Sequence, residues 1–486
     1  MQTDRLSSLD VAFLSLERQD SPMHLGAAAV FRPAGRVNPI RLVDLLAERA
    51  AKVPRLRDRA LPTWLPPGGA VWSRDPRFDP ARHIHLHRLP APGDRDQLAS
   101  AVSAAMARSL DLARPLWEIH LFTGLQDGSF VVLTKLHHAL ADGLRAVQLG
   151  MSLLDEVAAE PGAPSDSARL AGAARPAGAG TAPAADREQA GQPVLAAARS
   201  AGATLARPDR LLVGSTMSGL SALSGLPGLA QQAGQALGIA ASMVRSAAPP
   251  PARSPWVASD SPERGLVMLR LDLSDVRRIR RRLGGTAHDV LLAVLTGALR
   301  RWLTGRGAAV DDLGLRALIP VSRRQRGRAA PSGGNALSGY LCTLPVGEPD
   351  PLARLNAIRA EMDRNKAAGP GRGPGALPVL ADRLPPAVHR LAGPFAGLGA
   401  SLLFDTVVTN VPVPSLPLRL AGADLREVYP IVPLAHGQAL GVAVSTYRGT
   451  VHLTLHADRQ ALPDLGELAE SVPAALAALD RVQQAS

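Results

Sequence analysis

The clearest chemistry in the chain sits in seven consecutive residues, His137-His138-Ala139-Leu140-Ala141-Asp142-Gly143. An imidazole that titrates near neutrality suits abstraction of a proton from a hydroxyl group. Asp142 is placed to fix an imidazole tautomer, to brace the loop through an arginine, or to cap a helix by accepting backbone N–H bonds. Gly143 serves the turn. A lone histidine at a strand end is ordinarily a satisfied polar residue, whereas two adjacent histidines at this distance from Asp-Gly point to a reactive site. Absences narrow the chemistry further. No Gly-x-Ser-x-Gly elbow, Walker A loop or dinucleotide-binding glycine fingerprint in its strand-helix context occurs. Cys342, the single cysteine, carries no signature of a thiol nucleophile. Base-assisted direct transfer is favoured over a covalent enzyme intermediate.

Such residues need rigid supports. Residues 129–136, SFVVLTKL, read as a strand rich in β-branched side chains. Beyond Asp142, Leu144, Val147, Met151 and Leu154 recur at helical spacing. A second helix starts at Thr286, with Val290, Leu291, Val294, Leu295, Leu299 and Trp302 on its apolar side. Late strands are TVVTNVPVP, LGVAVSTYRG and TVHLTLHAD, the last two separated by a Gly-containing turn. Strands and helices mix in both halves, so the class is α/β. Residues 1–157 form one expected unit and 255–486 another. Between them, 158–254 combine an Ala/Gly/Pro-rich linker with a charge-free stretch over 211–244. That stretch contains Pro227 and Gln231, Gln232 and Gln235, so it reads as a helical hairpin or an interfacial segment rather than a membrane span.

Composition excludes several classes. The 486 residues carry a formal net charge of +12, and lysine occurs only at Lys52, Lys135 and Lys366, so the positive charge is almost all arginine. With aromatics at 3%, stacking residues for nucleic acid are scarce, and the arginine excess fits GC-rich coding together with acidic small molecules or anionic membrane. Arginine clusters at 277–282 and at Arg323, Arg324, Arg326 and Arg328 are candidate anion contacts or solvated faces. Apolar residues make up 46%, enough for a large core, and one cysteine excludes a disulfide framework. Residues 1–10 lack an apolar signal region, so a cytoplasmic protein is expected. His83, His85 and His87 alternate and would share one strand face, with solvated histidines favoured over a metal cluster.

HHxxxDG after a strand resembles the acyltransferase superfamily of chloramphenicol acetyltransferase, plant acyltransferases and peptide-synthetase condensation domains. The opening LSSLDVAFLSLERQDSPMHLGAAAVF, Pro115-Leu116-Trp117, LIPVSRR with Gly334-Asn335, VVTNVPVP around Asn410, and VYPIVPLAHGQALGVAVSTYRGTVHLTLHAD narrow the resemblance. They are similar to blocks of the bacterial wax ester synthase/acyl-CoA:diacylglycerol acyltransferases, in family order across nearly the whole chain outside the linker. The resemblance implies two chloramphenicol-acetyltransferase-like halves, joined by a long flexible linker, with a tunnel between them. It implies no resident cofactor and no metal. The substrates would be acyl-CoA and diacylglycerol, or a long-chain alcohol for wax esters.

His138 would be the general base, His137 would shape the site, Asp142 would hold the loop with Arg323 as ion-pair partner, and Gly143 would allow close backbone approach. Met23 and His24 would line a channel or pack in the core. Where the family has Asn-Asp opening a C-terminal helix, this chain has His288-Asp289, and Thr286-x-x-Asp289 also fits a capping box. In that first turn the helix dipole disfavours a charged imidazole. The expected setting is peripheral contact with membrane or lipid inclusions, without nucleic acid. Two other readings stay open: a stand-alone condensation-type enzyme using acyl-carrier substrates, and a catalytically weak lipid-binding or inclusion protein.

Overall fold

The computed structural model describes residues 4–64, 67–155, 255–256, 258–259, 261–322, 335, 337–368, 385–390 and 404–482. The expected linker and charge-free stretch over 158–254 lie outside the described residues, as do Arg323, Arg324, Arg326, Arg328 and Gly334.

The first sheet contains β1 (His24–Arg32), β4 (Ile84–Arg88), β5 (Trp117–Thr123), β6 (Phe130–His137), β11 (Arg419–Leu420) and β12 (Ala423–Ile431), in the order β11-β12-β1-β6-β5-β4. A separate hairpin pairs β2 (Asp58–Pro62) with β3 (Ala70–Arg74). The second sheet contains β7 (Arg264–Asp272), β8 (Gly314–Ser322), β9 (Leu337–Pro345), β10 (Thr406–Pro412), β13 (Leu440–Tyr447) and β14 (Thr450–Asp458), in the order β7-β14-β13-β10-β8-β9. The helices are α1 (Ser8–Leu16), α2 (Pro39–Lys52), α3 (Arg95–Ala107), α4 (Gly143–Met151), α5 (Leu273–Leu283), α6 (Ala287–Gly305), α7 (Pro351–Ala368) and α8 (Leu465–Asp480). None among the described residues is long and apolar enough to cross a membrane.

Sequence pattern explains the elements that matter. The β-branched run FVVLTKLH is buried on both faces, as an interior strand requires, and forms β6 between β1 and β5. The strand ends one residue later than the sequence suggests, so His137 is its last ladder residue, paired with His24 of β1. Helix α6 is apolar nearly all round and accordingly lies within the second core, against α7 and α8. Its Thr286–Asp289 pair makes the capping box that the spacing predicts. Thr286→Ala should therefore cost about 1 kcal/mol, read as a lowered urea midpoint with an unchanged slope.

One connection was not legible in advance. After β10 the chain leaves the second sheet, adds β11 and β12 to the first, and returns with β13. Glu427 of β12 accepts from Arg95 of α3, Arg270 of β7 and the Tyr429 hydroxyl, joining elements of both halves. The three alternating histidines also need correction, because they do not present one solvated face. His83 is buried and stacks on Trp117 at 4.6 Å, while His85 and His87 both stack on His120 of the neighbouring strand. Parallel register places His85 directly opposite His120, which draws these rings together. Among the described residues no group of three or more His, Cys, Asp or Glu could hold a metal ion.

Candidate active site

Helix α1 begins with a capping box in which Ser7 and Asp10 exchange bonds, each accepting from the other's backbone N–H. Asp10 is buried and serves a second purpose. Its Oδ1 accepts from the backbone N–H of Asn335 at 3.1 Å and from Nδ2 of Asn335 at 2.7 Å. The same Nδ2 donates to the carbonyl oxygen of His138 at 2.6 Å. Burial pushes the Asp10 carboxyl up to about 6, against the opposing pull of the bonds from Asn335 and Ser7.

The backbone N–H and C=O groups of both histidines are held. The His137 N–H donates to Leu116 O at 3.0 Å, and the His138 N–H donates to Met23 O at 2.8 Å. Nδ1 of His137 accepts from the Ala139 N–H at 3.0 Å, which puts the ring proton on Nε2. That nitrogen lies 3.3 Å from the Glu17 carboxylate, whose other oxygen lies 3.5 Å from Nε2 of buried His24. Both approaches are looser than a well-aligned hydrogen bond. Glu17 also accepts from the Met23 N–H at 2.6 Å. Burial alone would raise its carboxyl, but the two imidazoles hold it down at about 2.

His138 occupies a different environment from His137. His137 is fully buried, whereas His138 is half-buried and stacks on Phe13 of α1, with ring centroids 3.9 Å apart and planes 15° from parallel. Its Nδ1 is buried without an external partner, which leaves Nε2 as the open nitrogen. Desolvation pushes the His138 pKa down to about 4, so the ring is neutral at ordinary pH.

The remaining expected residues divide plainly. Asp142 is buried and caps α4, its Oδ1 accepting from the Arg145 N–H at 2.9 Å. Gly143 opens α4, and a Cβ there would meet nothing within 4 Å among the described residues, so the expected close backbone approach is not made by the protein itself. Pro115, Leu116 and Trp117 lead into β5 beneath the site. Leu116 O holds His137, and Trp117 is buried, its Nε1 donating to Leu56 O. Asn335 belongs to the site through Asp10 and His138. Asn410 is exposed on β10. Met23 and His24 pack and brace rather than line a channel, because Met23 O holds His138 and the His24 ring faces Glu17 and Met106 O.

His288 and Asp289 sit at the head of α6, and among the described residues no hydrogen bond or ring contact joins them to His138. The His288 imidazole is pushed toward neutrality, but the leading cause is burial rather than the helix dipole expected for its place in the first turn. Arg277, Arg280 and Arg281 stand on the exposed face of α5, while Arg278 and Arg282 bond to Asp480. Sequence reasoning missed Asp10, Phe13 and Glu17. Only Asp10 left a signal, the Ser-x-x-Asp capping pattern, and that signal does not announce its second partner.

Comparison with known proteins places this geometry in a lineage. Residues 6–291 match the family described as "Wax ester synthase/diacylglycerol acyltransferase catalytic domain", and residues 333–480 match "WS/DGAT C-terminal domain". A Mycobacterium tuberculosis protein named "Probable diacyglycerol O-acyltransferase tgs1" is 32% identical, covering 98% of this chain and 96% of its own length. Among solved structures, the wax ester synthase/diacylglycerol acyltransferase of Marinobacter aquaeolei VT8 has a similar fold, with a TM-score of 0.65 at 24% identity over 98% of each chain. The trichothecene 15-O-acetyltransferase TRI3 of Fusarium sporotrichioides has a TM-score of 0.58 at 13% identity, covering 98% of this chain and 94% of its own. The shared fold is that of two acetyltransferase-like halves. On these matches, the chain belongs to the wax ester synthase/diacylglycerol acyltransferase family.

Proposed function

We propose that the protein is an acyl-CoA-dependent O-acyltransferase that esterifies diacylglycerol to triacylglycerol and also accepts long-chain alcohols to give wax esters. The observation that carries the reading is His138: a neutral imidazole with its open Nε2 held between Phe13 and an anchored backbone. Nε2 takes the proton of the acceptor hydroxyl as the oxygen attacks the thioester carbonyl. The tetrahedral intermediate then collapses, the C–S bond breaks, and the thiolate of CoA takes the proton from the His138 imidazolium. The product ester and free CoA account for every atom.

In this reading His137 and Asp142 hold the loop from either side, with Arg323 as a partner of Asp142. Residues 1–157 and 255–486 form the two halves, the second lending β11 and β12 to the first, and 158–254 link them. Acyl-CoA and acceptor enter a tunnel between the halves from opposite sides, and the protein works in peripheral contact with lipid. No resident cofactor or metal takes part.

The direct test supplies purified protein with labelled palmitoyl-CoA and either dioleoylglycerol or hexadecanol, then reads CoA release and thin-layer products. Triacylglycerol formation is expected. Transfer from an acyl-carrier thioester in place of palmitoyl-CoA would sink the reading. The pH profile supplies a second test. The base works when neutral, so its lowered pKa moves the acid limb of kcat/KM from about 6.5 for an ordinary histidine to about 4. Activity should stay level from neutral pH into the mildly acidic range, and a limb near the ordinary histidine value would count against His138 as the base.

A further inference from the structure

The β2–β3 hairpin carries an apolar side chain that the protein leaves unused. Trp64, just beyond β2, is 83% exposed, the most exposed large apolar side chain among the described residues. A lone indole held in water is disfavoured, whereas its apolar ring and N–H suit the boundary between water and acyl chains. The loop sequence Thr63-Trp64-Leu65-Pro66-Pro67-Gly68-Gly69 is uncharged, and between Asp58 and Asp75 the chain has Arg59 and Arg74 but no carboxylate. Arg390 bonds to Gly68 O and adds another exposed cation at this loop.

The foot of the hairpin is basic as well. Arg59 of β2 lines a cavity of about 260 Å³ with Arg77, Arg82 and Arg114. Asp79 and Asp111 pair with Arg82 and Arg114 at 3.4 Å and 3.1 Å, and Asp75 also lines the cavity. Arg59 and Arg77 have no carboxylate partner among the described residues, and Nε of Arg59 is buried without a partner. An apolar tip above an arginine-bearing foot complements a surface with phosphates outside and hydrocarbon beneath. The hairpin is also firmly mounted. Ala70, Ala60 and Trp72 pack with Leu6, Val11 and Leu14, so it rests on α1, the helix that brings Phe13 to His138.

We infer that the β2–β3 hairpin is the docking element for an anionic lipid surface, with Trp64 entering the headgroup boundary and Arg59 and Arg77 meeting lipid phosphates. The inference deepens the proposed contact with lipid, and binding can be read without any turnover.

The test is sedimentation of the full chain with phosphatidylcholine vesicles, with and without phosphatidylglycerol, for wild type, Trp64→Ala and Arg59→Gln/Arg77→Gln. Circular dichroism checks that each variant is folded. Wild type should favour the anionic vesicles, and Trp64→Ala should weaken that binding about tenfold. The arginine variant should lose much of the preference for anionic lipid and show a flatter salt dependence. Equal binding by wild type and Trp64→Ala overturns the inference, as does wild type that stays in the supernatant with both vesicle types. A change in oligomeric state in Trp64→Ala with unchanged vesicle binding assigns the indole to a second copy of the chain, and overturns it too. Wild-type turnover of palmitoyl-CoA with a short, water-soluble alcohol is measured separately. If that turnover is missing while Trp64-dependent vesicle binding is present, the enzymatic reading fails and the docking surface stands.

Discussion

His138→Ala should lower kcat by about 10²–10⁴-fold, the range that a well-placed general base contributes. No other described side chain combines a neutral, open nitrogen with the rigid backing found here. The His138 N–H is tied to Met23 O, its carbonyl accepts from Asn335, and its ring lies against Phe13 at 3.9 Å. Alanine removes the ring but preserves both backbone bonds, so the loop should persist and the fold with it. The expected signature is a collapse of kcat, with little change in KM for palmitoyl-CoA and an unchanged circular dichroism spectrum. His138→Ala with near-normal turnover would remove the proposed mechanism altogether.

Glu17→Gln should give the second largest loss, about 10²-fold in kcat, the scale of effect when a reacting group is displaced by about 1 Å. Glu17 touches no reacting atom in this proposal and acts as a positioning residue. Its carboxylate faces Nε2 of both His137 and His24 and accepts from the Met23 N–H, while Met23 O holds His138. His137 Nε2 and the Met23 N–H both turn toward one oxygen of the carboxylate, at 3.3 Å and 2.6 Å, while the other oxygen faces His24 Nε2 at 3.5 Å. A carboxamide is uncharged and a weaker acceptor, so the contacts that hold the His137 ring and the Met23 N–H loosen in a buried space. The His137 ring or the β1 edge must then move, and His138 moves with it. Glu17 is held charged down to about 2, so the wild-type arrangement should persist throughout the assay range. Wild-type kcat in Glu17→Gln would show that the carboxylate serves packing alone. A lowered kcat with unchanged KM for acyl-CoA and an intact spectrum separates positioning from loss of fold.

The residues themselves explain which features could be read in advance. The β-branched run of β6 and the apolar repeat of α6 are local patterns, with periods of about two and 3.6 residues, and both formed close to the expected positions. Asp142 at the head of α4 and Thr286 with Asp289 at the head of α6 follow from capping chemistry that spans three or four positions. The paired histidines are likewise a local pattern of residue type and spacing. Harder to foresee was the departure of His83, His85 and His87 from one solvated face, because strand register with β5 decided where their rings would stack.

The chain's residue order alone determined its α/β class, its His-His-Ala-Leu-Ala-Asp-Gly heptapeptide and the helix caps that flank it, because each depends on neighbours within about one helical turn or a few strand residues. Tertiary structure alone decided that Asp10 meets Asn335 from 325 residues away, that Phe13 covers His138, that Glu17 sits between two imidazoles, and that β12 completes the first sheet. These partners are chosen by packing and strand register between distant segments, and neither quantity is encoded in the local spacing of residue types.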